Sequence, residues 1–185
     1  MDQDMQRRLE AHLHRSEILA IVHRCARGVD RWDAELIRSC YFEDAIDDHG
    51  DGFVGNVEDF IEYARETARD LVSTQHAICN HVCELDGSDA YAETYYLCLA
   101  LVPSGQNILS AGRYIDHFQR RGEEWRIATR VVVMENNYEL ANSSLFPIIP
   151  PALATGDGQP WSRSRDDVSY HRPPRARAPR STWKT

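Results

Sequence analysis

An imidazole is the side chain best suited to exchanging protons near neutral pH. One stands in the run Thr74-Gln75-His76-Ala77-Ile78-Cys79-Asn80-His81. Side chains alternate along a strand, so His76, Ile78, Asn80 and Val82 share one face, and Gln75, Ala77, Cys79 and His81 share the other. A titratable ring and an amide among apolar groups suit a pocket wall, where the apolar groups bind and the polar ones act or orient. The plainer alternative is that His76 hydrogen-bonds within its sheet. Asp30 is the second candidate. It lies where the first helix is expected to end, and the helix macrodipole disfavours a carboxylate there. A turn or capping role around Arg31-Trp32-Asp33 accounts for it. So does contact with His76, in which the carboxylate fixes the imidazole tautomer, stabilises its cation and makes the ring a strong proton acceptor. The sequence leaves both accounts open.

Further polar candidates are Tyr41, Tyr95, Tyr96 and Tyr114. Tyr95 shares a strand face with Tyr91, Glu93 and Leu97, and its hydroxyl is placed to hold a substrate oxygen or donate a proton. Arg130 sits between Thr129 and Val131. If it is buried it requires a carboxylate or a substrate oxygen as partner, and an outer-face position is the alternative. Two metal patterns are incomplete. Asp47, Asp51, Gly52 and Glu58 match places in a calcium loop, but the third place is His49, a poor ligand for a hard cation. Cys79, His81 and Cys83 alternate along one strand, whereas zinc prefers four ligands on tighter turns. The sequence has no phosphate-binding glycine loop, nucleophile elbow or dinucleotide fingerprint. No metal and no cofactor are expected.

These groups need elements to carry them. Ile18, Ile21, Val22, Cys25 and Val29 recur at helical spacing. Asp33 is placed to N-cap a short second helix through Leu36 and Ile37. Residues 44–55 read as a short strand and turn, and 57–71 as a third helix with Phe60, Ile61 and Ala64 on one side. Four extended runs follow, at 74–85, 89–102, 107–121 and 124–137, separated by short glycine-containing loops typical of hairpins. Helices followed by antiparallel strands predict an α+β fold in which a bent sheet, packed by helices on one face, leaves a concave ligand pocket. The domain is expected over 1–140. Residues 141–185 are expected to form an extension packed partly on the domain or on a neighbouring subunit, with a poorly ordered end rich in Pro and Arg.

The 185 residues, 42% hydrophobic and 27% charged, exclude disordered and membrane-spanning classes. Five cysteines at loose spacing fit free thiols, and with no apolar leader the expectation is cytoplasmic. The net charge of −8 is uneven, with residues 161–185 carrying +5 and the rest −13. An acidic body argues against nucleic acid as a partner.

The stretches Arg27-Gly28-Val29-Asp30-Arg31-Trp32-Asp33, 74–81, Ala92-Glu93-Thr94-Tyr95, Gly112-Arg113-Tyr114 and Glu124-Trp125-Arg126-Ile127-Ala128 resemble the SnoaL-like family of the nuclear-transport-factor-2-like superfamily, over about residues 10–140. The nearest likeness is to its dehydratase and dehydrochlorinase branch. That resemblance implies a cone-shaped fold and an Asp–His dyad on Asp30 and His76, with an arginine of the last strand mapping onto Arg130. It implies a cofactor-independent lyase acting on a small, largely apolar ring compound such as a steroid, polyketide or aromatic metabolite. Tyr95 and Arg130 would steady the developing anion, and Cys25, Tyr41, Asn80 and Tyr114 would contact the substrate. It also implies a homo-oligomer, trimer favoured over dimer. The dehydratase branch often carries a tyrosine five residues before the Asp, where this chain has Cys25. Isomerases, cyclases and purely binding subunits share the fold.

Overall fold

The computed structural model describes residues 2–140, 163–165, 167–170 and 172. The chain divides into two compact units, Met1–Asn142 and Ser143–Thr185. In the second, the described residues include a 3-10 turn at Val168–Tyr170, before which the Asp167 carboxylate accepts from the Ser169 backbone N–H at 3.0 Å. The expectations for residues 141–162 and 173–185 lie outside the described residues.

In the first unit, helix α1 spans Gln3–Arg31. Asp2 caps its start by accepting from the Met5 N–H at 2.7 Å. Trp32 ends it in the left-handed region, φ 54°. Ile18, Ile21, Val22 and Cys25 form its buried stripe, and each aliphatic side chain there contributes about 1.5–3 kcal/mol. Helix α2, Ala34–Arg38, follows at once, its Leu36 N–H bound by the Asp33 carboxylate at 3.1 Å. Strand β1, Tyr41–Asp48, leads through a 3-10 turn to the two-residue β2, Val54–Gly55. β1 starts three residues before the expected strand because Tyr41 is paired with Ile127 in the sheet and buried.

Helix α3, Val57–Thr67, is capped by Asn56. It stops short of the expected residue 71. Thr67 turns its hydroxyl back to the Tyr63 carbonyl at 2.8 Å, and the Val72 N–H is taken up by Leu101 O at 2.8 Å. Strands β3 (Ser73–Asp86), β4 (Asp89–Leu101), β5 (Asn107–Arg121) and β6 (Glu124–Leu140) complete a six-stranded sheet, order β2-β1-β6-β5-β4-β3. Only β1 and β6 pair in parallel. The β3–β4 and β5–β6 hairpins turn on Gly87 and Gly122, at φ 62° and 66°, which a side chain would resist.

Three helices on a mixed, open sheet confirm the α+β architecture. One sheet face, with Thr94, Tyr96, Tyr114, Phe118 and Ile127, meets the apolar side of α1 and forms the core. The register slips between Ile78 and His81 in β3, and in the β5–β6 pairing beside His117 and Ala111. Each slip inserts an extra residue, bends the sheet and resets which side chains face inward. No helix among the described residues is long and apolar enough to cross a membrane.

Candidate active site

The end of α1 delivers the Asp30 carboxylate to β3. Asp30 Oδ1 lies 2.7 Å from His76 Nδ1, and Oδ2 accepts the His76 backbone N–H at 2.9 Å. Both carboxylate oxygens are thus engaged with one residue, which fixes its ring and backbone together. The two side chains are 13% and 12% exposed. Burial pushes the imidazole pKa down, but hydrogen bonds and charge from Asp30 and Cys98 outweigh it and raise the group from 6.5 to about 10. His76 therefore rests as an imidazolium paired with a carboxylate. Cys98 stands opposite His76 in the β3–β4 register.

Next to this pair the inner face carries Tyr96 and Tyr114, stacked at 4.5 Å and 14°, with the Tyr96 ring 6.3 Å from that of His76. The Arg130 guanidinium lies 4.2 Å from the Tyr114 ring centre. Its Nε and Nη2 each donate to Asp116 at 2.7 Å, a buried two-pronged pair. Burial opposes the Arg130 charge, and Asp116 holds it, keeping the group well above its ordinary pKa. The remaining nitrogen, Nη1, reaches Cys25 Sγ at 3.4 Å and Tyr41 Oη at 3.5 Å. Tyr41 donates to Asp47 Oδ2 at 2.6 Å. The Cys25 thiol is drawn down from 9.0 to about 7, chiefly by a hydrogen bond from Cys40; burial opposes this, and Arg130 and Tyr41 assist it.

Asp30, His76, Arg130, Cys25, Tyr41 and Tyr114 thus fall on one inner surface. Two expected members do not. Tyr95 is 41% exposed on the outer face, with the Arg113 guanidinium over its ring, because the inward positions of β4 are Ala92, Thr94 and Tyr96. Alternation had grouped Tyr95 with the right neighbours, but that group faces solvent. Asn80 is exposed in the β3 bulge. The same slip turns His81 inward, where its Nδ1 meets Thr94 Oγ1 at 2.8 Å, and turns Val82 out. Burial lowers the His81 pKa, with Asp116 opposing and His23 adding to it. A bulge has no clear sequence signal here, whereas Cys98 and Tyr96 were legible from pairing and from a one-residue change of face.

The incomplete metal patterns dissolve in the fold. Asp47 is buried against Tyr41 and His49, Glu58 pairs with Arg38, and the bulge parts Cys79 from His81 and Cys83. Among the described residues no three His, Cys, Asp or Glu gather as ligands.

A second Asp–His contact, Asp89 to His117 at 2.7 Å, edges a groove of about 500 Å³ lined by Val82, Tyr91, Ile115 and Val131 on the outer face. Its members are 32% and 30% exposed, so water weakens their mutual influence. The Asp30–His76 pair, enclosed and joined to the buried arginine network, is the stronger candidate for proton chemistry.

Three helices packed on an open, mixed six-stranded sheet make this an α+β protein of the nuclear-transport-factor-2-like class. The SnoaL-like domain matches residues 10–131, and the chain belongs to that family. Its fold matches a type 2 hexachlorocyclohexane dehydrochlorinase (TM-score 0.68, 22% identity, 76% of this chain and 97% of that one). It also matches the type 3 enzyme from Novosphingobium barchaimii LL02 (0.67, 20%, 75% and 98%). A candidate scytalone dehydratase from Novosphingobium aromaticivorans DSM 12444 is similar as well (0.64, 13%, 75% and 95%). At these identities the likeness is one of fold. No curated protein sequence matches the chain.

Proposed function

We propose that this protein is a cofactor-independent lyase acting on a small, largely apolar ring compound. The observation that carries the reading is the enclosed Asp30–His76 pair, with both carboxylate oxygens committed to one histidine. The neutral form of His76 removes a proton from a substrate carbon, the adjacent bond to the leaving group breaks, and a double bond forms. Asp30 stabilises the imidazolium produced. The stacked and buried Tyr96 and Tyr114 give the site an apolar backing, and Arg130, already balanced by Asp116, turns Nη1 toward developing negative charge. A positioned base contributes about 10²–10⁴-fold, and orientation in a water-poor site contributes more. Membership in a family whose fold is shared by dehydrochlorinases supports elimination over bare binding.

The test is turnover of ring compounds that carry an acidic C–H beside a leaving group. 5-Nitrobenzisoxazole is a suitable first probe, because a base alone opens it to a coloured phenolate. Turnover lost in His76→Ala and in Asp30→Asn supports the lyase. Turnover indifferent to both replacements, with ring compounds still bound, leaves a binding protein. With substrates whose leaving group is not tethered, product that retains all its atoms under a rearranged double bond moves the assignment to an isomerase.

The same reading has the chain self-associating through its outer sheet face, where Val82, Tyr91, Tyr95, Leu97, Ile115 and Val131 are exposed. A trimer is the expected state. Light scattering should show it reduced to monomer by Val131→Glu; a monomeric wild type rejects it.

A further inference from the structure

Beyond the base, the fold holds a second set of proton-carrying groups that base catalysis does not use. The Cys25 thiol donates toward Tyr41 Oη at 3.6 Å, a normal reach for sulfur, and Tyr41 donates to Asp47 Oδ2 at 2.6 Å. The other Asp47 oxygen stands 2.7 Å from His49 Nε2. That last contact is an ion-pair approach whose N–H is not aimed along the line, and neither atom has a hydrogen-bond partner among the described residues. Asp47 is fully buried while His49 is 25% exposed. A buried carboxylate oxygen of this kind requires a proton or a positive charge beside it. His49 is held in place by stacking on Phe60 at 5.1 Å, with Phe53 and Tyr63 around it. One end of the series is therefore next to Arg130, and the other touches solvent.

We infer that Cys25, Tyr41, Asp47 and His49 form a proton-delivery track that protonates the leaving group, so that the group expelled is hydroxide leaving as water. The inference rests on the lyase reading. As His76 takes the proton from carbon, the C–O bond breaks and its electron pair goes to oxygen. The Cys25 S–H supplies the proton, giving an alkene and water. Tyr41 then returns a proton to the thiolate, Asp47 relays one to Tyr41, and His49 recovers one from solvent. His76 releases its proton to solvent, and no charge accumulates. A halide needs no such proton, so the track has a use only for a poor leaving group. Supporting this, the Cys25 thiol is poised near neutrality, where an acid is most effective. Burial and the neighbouring Cys25 and Asp47 charges hold Tyr41 well above its ordinary pKa, with Arg130 opposing, so it conducts as a neutral hydroxyl.

Two measurements test the track. Thiolate absorbance is followed from acid to alkaline pH in wild type, Cys25→Ser, Tyr41→Phe and His49→Gln. One thiolate should titrate at about 7, vanish in Cys25→Ser, and move in both Tyr41→Phe and His49→Gln. A Cys25 titration unmoved by either overturns the proposal, and it needs no substrate. The second measurement compares 4-chloro-4-phenylbutan-2-one, whose chloride leaves without a proton, with 4-hydroxy-4-phenylbutan-2-one, whose hydroxide leaves poorly unless protonated; both give the same enone. Cys25→Ala and Tyr41→Phe should lower kcat for the poor leaving group by about 10²-fold or more beyond whatever they cost on the good one. Equal losses on both compounds mean a structural role and overturn the track while leaving the base intact. Loss of neither compound in His76→Ala rejects the lyase reading itself, and the thiolate titration then still decides whether the four groups are coupled.

Discussion

Replacing Asp30 by Asn tests the core of the site without any substrate. The change keeps size and leaves one oxygen able to accept the His76 backbone N–H. It then turns an amide N–H toward Nδ1, and only a neutral imidazole can accept that donor. In the wild type the pKa rises from 6.5 to about 10, equivalent to about 5 kcal/mol of preference for the cation in the folded state. Because the folded value lies above the unfolded one, this stabilisation is complete below pH 6.5 and is lost as pH climbs through about 10. The Asp30 hydrogen bond is the largest single favourable cause and the Cys98 hydrogen bond the next, so the replacement should lower the His76 midpoint by about 1–3 units. Stability below pH 6.5 should fall by about 1.4–4 kcal/mol, and wild type and variant should converge at alkaline pH. The chain has eight histidines, so the His76 ring resonance is assigned by its absence in His76→Gln and followed by NMR titration, with urea unfolding at both ends of the range. A wild-type midpoint at or below 6.5, or one unchanged in Asp30→Asn, refutes the argument that the carboxylate sets the imidazole charge.

Three further outcomes follow from the same geometry. With His76 about 10, roughly a thousandth of it is neutral near pH 7, so kcat/KM for 5-nitrobenzisoxazole should climb about tenfold per pH unit until that pKa is reached; a profile falling with pH would make His76 an acid instead. Asp116→Ala strands the buried Arg130 and should cost about 3–5 kcal/mol in urea unfolding, whereas the double change Asp116→Leu with Arg130→Met should recover most of it. A Cβ on Gly112 would stand 2.2 Å from Val133 O and 2.8 Å from Tyr96 Oη. The backbone oxygen cannot move away cheaply, so Gly112→Ala should cost about 1–3 kcal/mol and alter the near-ultraviolet tyrosine signal of the Tyr96–Tyr114 stack; an unchanged melting temperature would count against that close approach.

Much of the fold was legible because local patterns and tertiary packing agree. The apolar stripe of α1, the Asp33 cap and the glycine-bearing hairpin loops each specify geometry within a few residues, and the sheet simply extends them. The site was legible in part. Asp30 stood out because its place opposes the helix dipole, and its compensation is the His76 contact. Side-chain facing on the strands was less secure. Alternation predicts faces only until a bulge intervenes, and the slip after Ile78 exchanged Asn80 and Val82 for His81 and Cys83. Tyr95 failed differently, since period two separates two faces without saying which is inward; Ala92 and Thr94, small enough to lie under α1, were the signal for that.

The buried polar network also bears on what this interior is for. Arg130, Asp116, Asp47 and Tyr41 are all nearly or wholly buried, and apolar side chains of equal volume would stabilise the core as well or better. One guanidinium meets two obligations here. Its fork is closed by Asp116, which neutralises it, while Nη1 is left directed at Cys25 and Tyr41. A purely structural arginine would need only the first contact. The second aligns the thiol and the phenol beside the tyrosine stack and lowers the cost of negative charge on sulfur. Asp47 then anchors the phenol from β1, the one strand that joins the sheet in parallel. That crossover brings the Cys25–Tyr41 arm against β6, as the end of α1 brings Asp30 against β3. The two arms approach one inner surface from different elements, so each can be disabled by mutation while the other is left standing.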